Sequence, residues 1–392
     1  MHDHIPATGT VHWIGAGRST GSGLRELCDR ANRVRLWHRG VERAERRLAE
    51  LGLTGRAEGR AFTVQALDAE LAPGDVVVSM LPPPRHAGLL RLAVARGAHF
   101  ACSSYASDEM VAEAEKAAEA GVVALTEAGL DPGIDHLFAH SLVREARQKL
   151  GDNPADIRFV SYCGGVPAVP NDFRYRFSWA PRGVLNALRS PSRYWHEGRL
   201  RTTEQPWEDT VQYTIADEPF EAYPNRDSVP FLTAYALPAA WRPQTFVRGT
   251  LRLPGWRAAW EPVFAILRDG DQGRIDGLAD ELAARYPATA DDHDRVVLAV
   301  ALEVRTDDGA EWSGDYLLDV VGDDRESAMA RSVSLPLACG VSDILADRTP
   351  PGLRRAAGEP DAVERWLAFL DRQGIGGGRD MVRRPPSADP ET

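Results

Sequence analysis

Lysine is almost missing from this chain. Of its 46 basic residues only Lys116 and Lys149 are lysines, and the rest are arginines. Lys116 follows the charged run Glu113-Ala114-Glu115 and Lys149 closes a second helical pattern, so both read as solvated. This argues against Schiff-base or lysine general-base chemistry. It also means that a carboxylate-bearing ligand would meet guanidinium groups. Cysteine is scarce too: Cys28, Cys102, Cys163 and Cys339 have neither metal-ligand spacing nor the density of a disulfide framework. No metal site is expected. No apolar stretch reaches the ~18 residues of a membrane span, and the N-terminus lacks the basic-then-apolar layout of a signal peptide. The expectation is a cytoplasmic protein with no membrane partner. A net charge of −11 argues against nucleic acid and anionic surfaces as partners. What remains, 43% apolar and 26% charged over 392 residues, is the composition of a globular protein with room for two domains.

The first third reads as a nucleotide-binding βαβ series. Thr10 to Ile14 forms a strand, Gly15-Ala16-Gly17 breaks it, and a helical pattern with Leu24, Leu27 and Ala31 on one face follows. Val34 to Trp37 is a second strand, and Val41 to Leu51 reads helical. Val76 to Leu81 is almost wholly apolar, as a parallel strand covered on both faces must be. A pyrophosphate would rest on the helix N-terminus, near Gly15, Gly17, Arg18 and Ser19. The third fingerprint position is Thr20 where Gly or Ala is usual, with Gly21 behind it. At the end of the second strand an NAD site wants a carboxylate for the ribose hydroxyl. This chain offers His38-Arg39, and Arg39 can grip a 2′-phosphate bidentately, so the cofactor is read as NADP. The alternative for Arg39 is a solvated loop residue.

Polar groups then gather at the carboxyl ends of successive strands, the edge where cofactor and substrate meet in open α/β sheets. Ser79 and Leu81 end one strand, before Pro82-Pro83-Pro84-Arg85-His86. His86 reads as the cap of the helix Ala87 to Arg96, rather than as a catalytic base. Ala98 to Cys102 delivers Ser103-Ser104-Tyr105, and Val122 to Leu125 delivers Glu127 and the octapeptide Gly129-Leu130-Asp131-Pro132-Gly133-Ile134-Asp135-His136. Pro132 fixes its own φ and pushes Asp131 towards an extended conformation, while Gly133 permits a tight bend before helical pattern resumes. Taken alone, the octapeptide also fits a helix N-cap with a proline turn.

Together these words resemble saccharopine reductase, the NADP-dependent, L-glutamate-forming saccharopine dehydrogenase family. Ser104-Tyr105 and the octapeptide carry the likeness. Ser161 to Ala168, Phe177 to Leu185, Ala222 to Ser228 and Val247 to Leu251 extend it in family order over most of the chain. The resemblance implies an α/β fold: a Rossmann-type NADP-binding domain (1–132 with a returning segment, 325–374) and an inserted α+β substrate and dimerisation domain (133–324). Residues 375–392, rich in Gly, Pro and Arg, are expected to be a disordered tail. Asp291-Asp292-His293-Asp294 reads as a strand entry with solvated charges ahead of the long strand Val296 to Val304.

The resemblance further implies hydride transfer with NADP at the C–N bond of saccharopine, and a homodimer. It places Asp131, Tyr105 and Cys163 around the reacting centre, with Cys163 as a packed wall rather than a nucleophile. Substrate contacts would come from Ser104, Tyr105, Asp131, Arg226, Thr245, Phe246 and Arg248, with Arg176 and Arg182 as further clamps. Cofactor contacts would come from Gly15, Gly17, Arg18, Ser19, His38, Arg39, Ser79, Leu81, Ser103 and Leu130. Asp135 and His136 are read as caps of the following helix. Two departures stand out: material is missing between Leu267 and Ala290, and the loop Val169-Pro170-Asn171-Asp172 is trimmed, with Arg174 and Arg176 where the family shows Gly and Lys. They motivate an alternative, an NADPH-dependent reductase of a related amino-acid imine. A non-catalytic NADP-binding protein is the reading from another class.

Overall fold

A computed structural model of the chain describes residues 4–177, 181–287, 289, 292–379 and 381. In chain order the elements are β1 (Thr10–Ile14), α1 (Ser22–Arg30), β2 (Arg33–His38), α2 (Val41–Glu50), β3 (Glu58–Ala61), α3 (Val64–Glu70), β4 (Val76–Ser79), α4 (His86–Ala95), β5 (His99–Cys102), α5 (Asp108–Glu119), β6 (Val123–Thr126) and α6 (Ile134–Leu150). Then come β7 (Ala155–Pro167), α7 (Pro181–Leu188), β8 (Ser192–His196), β9 (Arg199–Thr203), β10 (Val211–Ile215), β11 (Glu218–Pro224), α8 (Pro230–Ala234), β12 (Trp241–Arg252), α9 (Trp256–Ala259), α10 (Glu261–Asp269) and α11 (Gln272–Arg285). β13 (Asp294–Thr306), β14 (Glu311–Val321), α12 (Ala328–Leu345), β15 (Gly352–Arg355), α13 (Pro360–Arg372) and β16 (Gly378–Arg379) complete the chain.

The chain divides into two compact units, Met1–Leu137 with Ala330–Gly374, and Phe138–Met329 with Ile375–Thr392. In the first, seven parallel strands run in the order β3-β2-β1-β4-β5-β6-β15. The expected α/β Rossmann architecture is what forms. β4, β5 and β6 are buried at every position, which is why they read as continuous apolar runs. The order reverses between β1 and β4, which makes the carboxyl end of β1 the crevice for a ligand. The C-terminal return brings a strand as well as helices: β15 pairs in parallel with β6 and widens the sheet.

α12 corrects the expectation that no segment is long and apolar enough to cross a membrane: by length and composition this 18-residue helix is, and 72% of it is buried inside the protein. Its packing against α1 requires a glycine. A Cβ on Gly23 would lie 2.0 Å from the Ser334 carbonyl oxygen, and the Gly23 amide donates to Ser334 Oγ at 3.0 Å.

The second unit is built on a nine-stranded mixed sheet, β10-β11-β12-β7-β13-β14-β16, with β8 and β9 as a hairpin on β12. Side chains alternate between its faces. One face carries Tyr162, Val166, Val247, Leu251, Val297 and Ala299 in an apolar cluster. The other carries Cys163, in register with Thr250, so Arg248, Thr250 and Arg252 share its side of the sheet. An aromatic cluster of Phe173, Tyr175, Tyr223, Trp256 and Trp260 adjoins α7, α10 and α11 in the same unit. Two expectations need correction here. The tail was expected to be disordered from Ile375, but Ile375 is fully buried and β16 pairs antiparallel with β14. The rest of that tail, 380 and 382–392, lies outside the described residues, as do 178–180 of the matched motif. Asp294 is also not a solvated charge. It is 1% exposed, and its carboxylate accepts the Ala328 and Met329 amides at 2.7 and 2.9 Å, which satisfies donors that helix geometry leaves orphaned.

Candidate functional site

In the first unit the carboxyl edge of the sheet collects every cofactor residue expected from sequence. Gly15 adopts φ 120° and hands its amide to the Trp37 carbonyl at 2.9 Å, so the glycine loop starts beside the end of β2. A Cβ on Gly17 would meet nothing within 4 Å, which leaves the loop's outer side open, and Arg18 beside it is exposed. Thr20 explains its departure from the glycine pattern. Its hydroxyl donates to the Gly15 carbonyl at 2.8 Å and accepts from Trp13 Nε1 at 3.2 Å, so it latches the loop it terminates. His38 is half-buried and bonded to Gly40, and Arg39 is exposed at the end of β2. No carboxylate occupies that position.

Ser79 ends β4 and Leu81 lies two residues beyond it, while Ser103, Ser104 and Tyr105 follow β5. Leu130 and Asp131 lie in the turn after β6. The turn is locked from both ends: the Gly129 amide donates to the Pro132 carbonyl at 2.9 Å, and the Ile134 amide donates to the Gly129 carbonyl at 2.9 Å. Gly133 is obligatory, because a Cβ there would sit 1.9 Å from the Gly129 oxygen at a φ of 149°. The Asp131–Pro132 peptide is cis. Within this frame Tyr105 Oη donates to Asp131 Oδ1 at 2.8 Å, so the two residues expected at the reacting centre are brought together.

The residues next to them are tied into the turn and to Glu127. Asp135 accepts the Gly133 amide at 2.7 Å inside the turn. The His136 ring bonds Glu127 Oε2 through Nε2 at 3.1 Å, and its Nδ1 lies 3.4 Å from Asp135 Oδ2. Glu127, 3% exposed, also accepts from Arg355 Nε at 3.1 Å and from the Ala106 amide at 3.3 Å. Burial raises the Glu127 pKa, but His136 and Arg355 together hold it below the usual carboxylate range. His86 is not a helix cap through its side chain. Its ring bridges Ser79 Oγ at 2.9 Å and Ser104 Oγ at 3.0 Å, and burial pulls its pKa down to about 4.

In the second unit Arg248 is 2% exposed and its guanidinium lies 4.0 Å from the centroid of the Phe231 ring. The loop that carries Arg226 is tied to the same strand: the Asn225 amide donates to the Arg248 carbonyl, and the Arg248 amide donates to Ser228 Oγ, each at 2.9 Å. Arg226 holds φ 59°, with its carbonyl accepting the Arg193 amide at 3.1 Å. Thr245 is partly buried, at a bulge in β12. Phe246, expected among the substrate contacts, has its side chain in the core, fully buried and stacked on Phe159 at 4.7 Å. Cys163 is buried, 8% exposed, in the middle of β7. Arg176 and Arg182 are already matched by carboxylates, Asp292 at 2.8 Å and Asp276 at 3.2 Å, and so are weak candidates for clamps. Arg252 was missed. It is 7% exposed, it bonds the Tyr223 hydroxyl at 2.9 Å, and its guanidinium carbon lies 5.0–5.5 Å from the ring centroids of Tyr175, Tyr223 and Trp256.

Residues 11–125 match the family model described as the saccharopine dehydrogenase NADP binding domain, and residues 129–375 match the saccharopine dehydrogenase C-terminal domain. The chain belongs to the saccharopine dehydrogenase family. It is 35% identical over 261 residues to the NADP-dependent, L-glutamate-forming saccharopine dehydrogenase of Pyricularia oryzae, covering 64% of this chain and 56% of that one. It is 38% identical over 199 residues to the Saccharomyces cerevisiae enzyme of the same name, covering 49% and 43%. The chain thus spans about half the length of the curated relatives it matches. The apo saccharopine dehydrogenase structure from S. cerevisiae superposes with a TM-score of 0.80 at 25% identity, over 95% of this chain and 100% of that one. A homospermidine synthase from Legionella pneumophila, at 10% identity and a TM-score of 0.67, over 100% of this chain and 95% of that one, shares the fold alone.

The cofactor domain of this saccharopine dehydrogenase family member fits NADP on its own structure. The glycine loop is open above Gly17, the end of β2 lacks a carboxylate that would repel a 2′-phosphate, and Arg39 is exposed there.

Proposed function

We propose that the protein is an NADP-dependent, L-glutamate-forming saccharopine dehydrogenase, interconverting saccharopine with L-glutamate and α-aminoadipate semialdehyde. The observation that carries this is the Tyr105–Asp131 hydrogen bond of 2.8 Å at the carboxyl edge of an NADP-type sheet, in a chain whose relatives bear that name. When bound, NADP accepts or delivers the hydride at the carbon of the C–N bond. In the oxidative direction loss of hydride from the neutral secondary amine leaves a protonated imine, water adds to its carbon, a proton passes from that oxygen to the nitrogen, and the C–N bond breaks to give the aldehyde and the ammonium group of glutamate.

The residues of the chain hold charge and position. Asp131 places a carboxylate to stabilise positive charge on the substrate nitrogen, and Tyr105 fixes the direction of that carboxylate by donating to it. Ser104 offers a hydroxyl beside them. Arg226 and Arg248 are the carboxylate clamps this reading relies on, and Arg248 is pre-set by the Phe231 ring beneath it. One observation favours a second reading, reduction of a related amino-acid imine with fewer carboxylates: Arg176 and Arg182 are paired within the protein. We further propose a homodimer in the cytoplasm; the four free cysteines suit a reducing compartment.

The test is purified protein with saccharopine and NADP⁺, followed by NADPH absorbance, with NAD⁺ in parallel. Saccharopine-dependent NADPH formation is the expected result. NADPH binding without turnover would overturn the saccharopine reading, and reduction of the semialdehyde with amines other than glutamate would support the second.

A further inference from the structure

We propose that His86 is a positioning residue that fixes the hydroxyl of Ser104 as a hydrogen-bond donor towards a carboxylate of the substrate. The proposal rests on the functional reading above, in which Ser104 faces saccharopine, and adds to it the group that decides which way the Ser104 proton points.

His86 is 1% exposed, at the first turn of α4, with the edge of the Phe100 ring 6.3 Å away between centroids. A buried imidazole with two serine neighbours stays neutral, and desolvation enforces this by lowering its pKa to about 4. It therefore has one N–H and one lone pair to share between Ser79 Oγ at 2.9 Å and Ser104 Oγ at 3.0 Å. Ser79 breaks the tie. Its side chain is fully buried at the end of β4, and among the described residues His86 is its hydrogen-bond partner. Against its expected place among the cofactor contacts, Ser79 has no surface to offer a cofactor, so among the described residues its proton has only Nδ1 to point at, and leaving that donor unmet would cost about 1–3 kcal/mol.

Nδ1 thus accepts from Ser79 and the ring proton resides on Nε2. Nε2–H then donates to Ser104 Oγ, so the Ser104 proton cannot be spent on the ring. Ser104 is only partly buried, and its backbone is held in turn, with its carbonyl accepting the Glu127 amide at 3.0 Å. The outward O–H is the group that a carboxylate requires. In the opposite tautomer Ser104 would donate to the ring and present only lone pairs, which repel a carboxylate. Ser79 and His86 therefore set the polarity of a residue they hold from behind.

The experiment measures saccharopine and NADP⁺ kinetics for Ser104→Ala, His86→Phe, His86→Gln and the double variant His86→Phe/Ser104→Ala, each checked for folding by circular dichroism. The expected result is that Ser104→Ala and His86→Phe each raise KM for saccharopine about tenfold, as loss of one hydrogen bond to a charged group would. KM for NADP⁺ should stay near wild type. The double variant should be no worse than Ser104→Ala alone, because His86 acts through that hydroxyl. His86→Gln, which retains one acceptor and one donor, should recover part of the loss. Additive effects in the double variant, or a His86→Phe effect that falls on NADP⁺, would overturn the inference. Wild-type turnover of saccharopine with a silent Ser104→Ala would overturn this inference alone. Absence of saccharopine turnover in the wild type would overturn the function it rests on, and this inference with it.

Discussion

Removing the Glu127 carboxylate should destabilise the first unit and do so in a pH-dependent way. Glu127 sits at φ 57°, 3% exposed, and its two oxygens accept from three places: His136 at the start of α6, the Ala106 amide beside Tyr105, and Arg355 on β15. Arg355 is 45% exposed, so its ion pair is screened and contributes on the order of 0.5 kcal/mol. The bonds from buried His136 and from the Ala106 amide are worth more, roughly 1–3 kcal/mol each once a buried donor is left unmet. Glu127→Ala should therefore cost about 3 kcal/mol, which for a unit of this size lowers Tm by roughly 6–12 °C. Glu127→Gln keeps an acceptor but not the charge, and should cost about half as much. The folded-state pKa of Glu127 lies below its ordinary value of 4.5, so its contribution is full above that pH and is lost as the pH falls through the depressed value. Thermal unfolding of wild type and Glu127→Gln at pH 7, 5 and below 4 checks this. The gap should hold between pH 7 and 5 and close as the solution becomes more acid. A gap that persists unchanged at the lowest pH would show that Glu127 acts by shape, not by charge.

Three further outcomes follow from the site. Tyr105→Phe removes the donor to Asp131 and should lower kcat/KM for saccharopine on the order of 10²-fold while leaving NADPH affinity, read by fluorescence titration, within a factor of two. Arg39→Glu should raise KM for NADP⁺ at least about tenfold and KM for saccharopine little, since a carboxylate at the end of β2 repels a 2′-phosphate; equal effects on both would show that Arg39 does not read that phosphate. Gly23→Ala drives a Cβ to 2.0 Å from the Ser334 carbonyl oxygen and should cost about 1–3 kcal/mol in chemical denaturation, with the larger part recovered by no side-chain change at Ser334, because the clash is with backbone.

The seven-stranded sheet was legible because its information is local. Apolar runs such as Val76–Ser79 can only be strands covered on both faces, and the glycine loop after β1 marks its own crevice. The octapeptide was legible for the same reason: Gly133 lies 1.9 Å, by its absent Cβ, from a residue four places earlier. Tyr105 and Asp131 were each expected near the reacting centre from the family resemblance, but their hydrogen bond to one another is visible only in the fold. What tertiary structure alone decided involves partners far apart in the chain. Ser334 dictates a glycine at position 23, and Arg355 reaches Glu127 only because β15 returns to β6. His86 carried no local sign that two serines, one seven and one eighteen residues away, would share its ring. The same limit turned Arg176 and Asp294 from open charges into matched ones. Sequence pattern reports which face of an element is buried. It does not report which polar group waits there, and in this protein those partners orient the residues to which the chemistry is assigned.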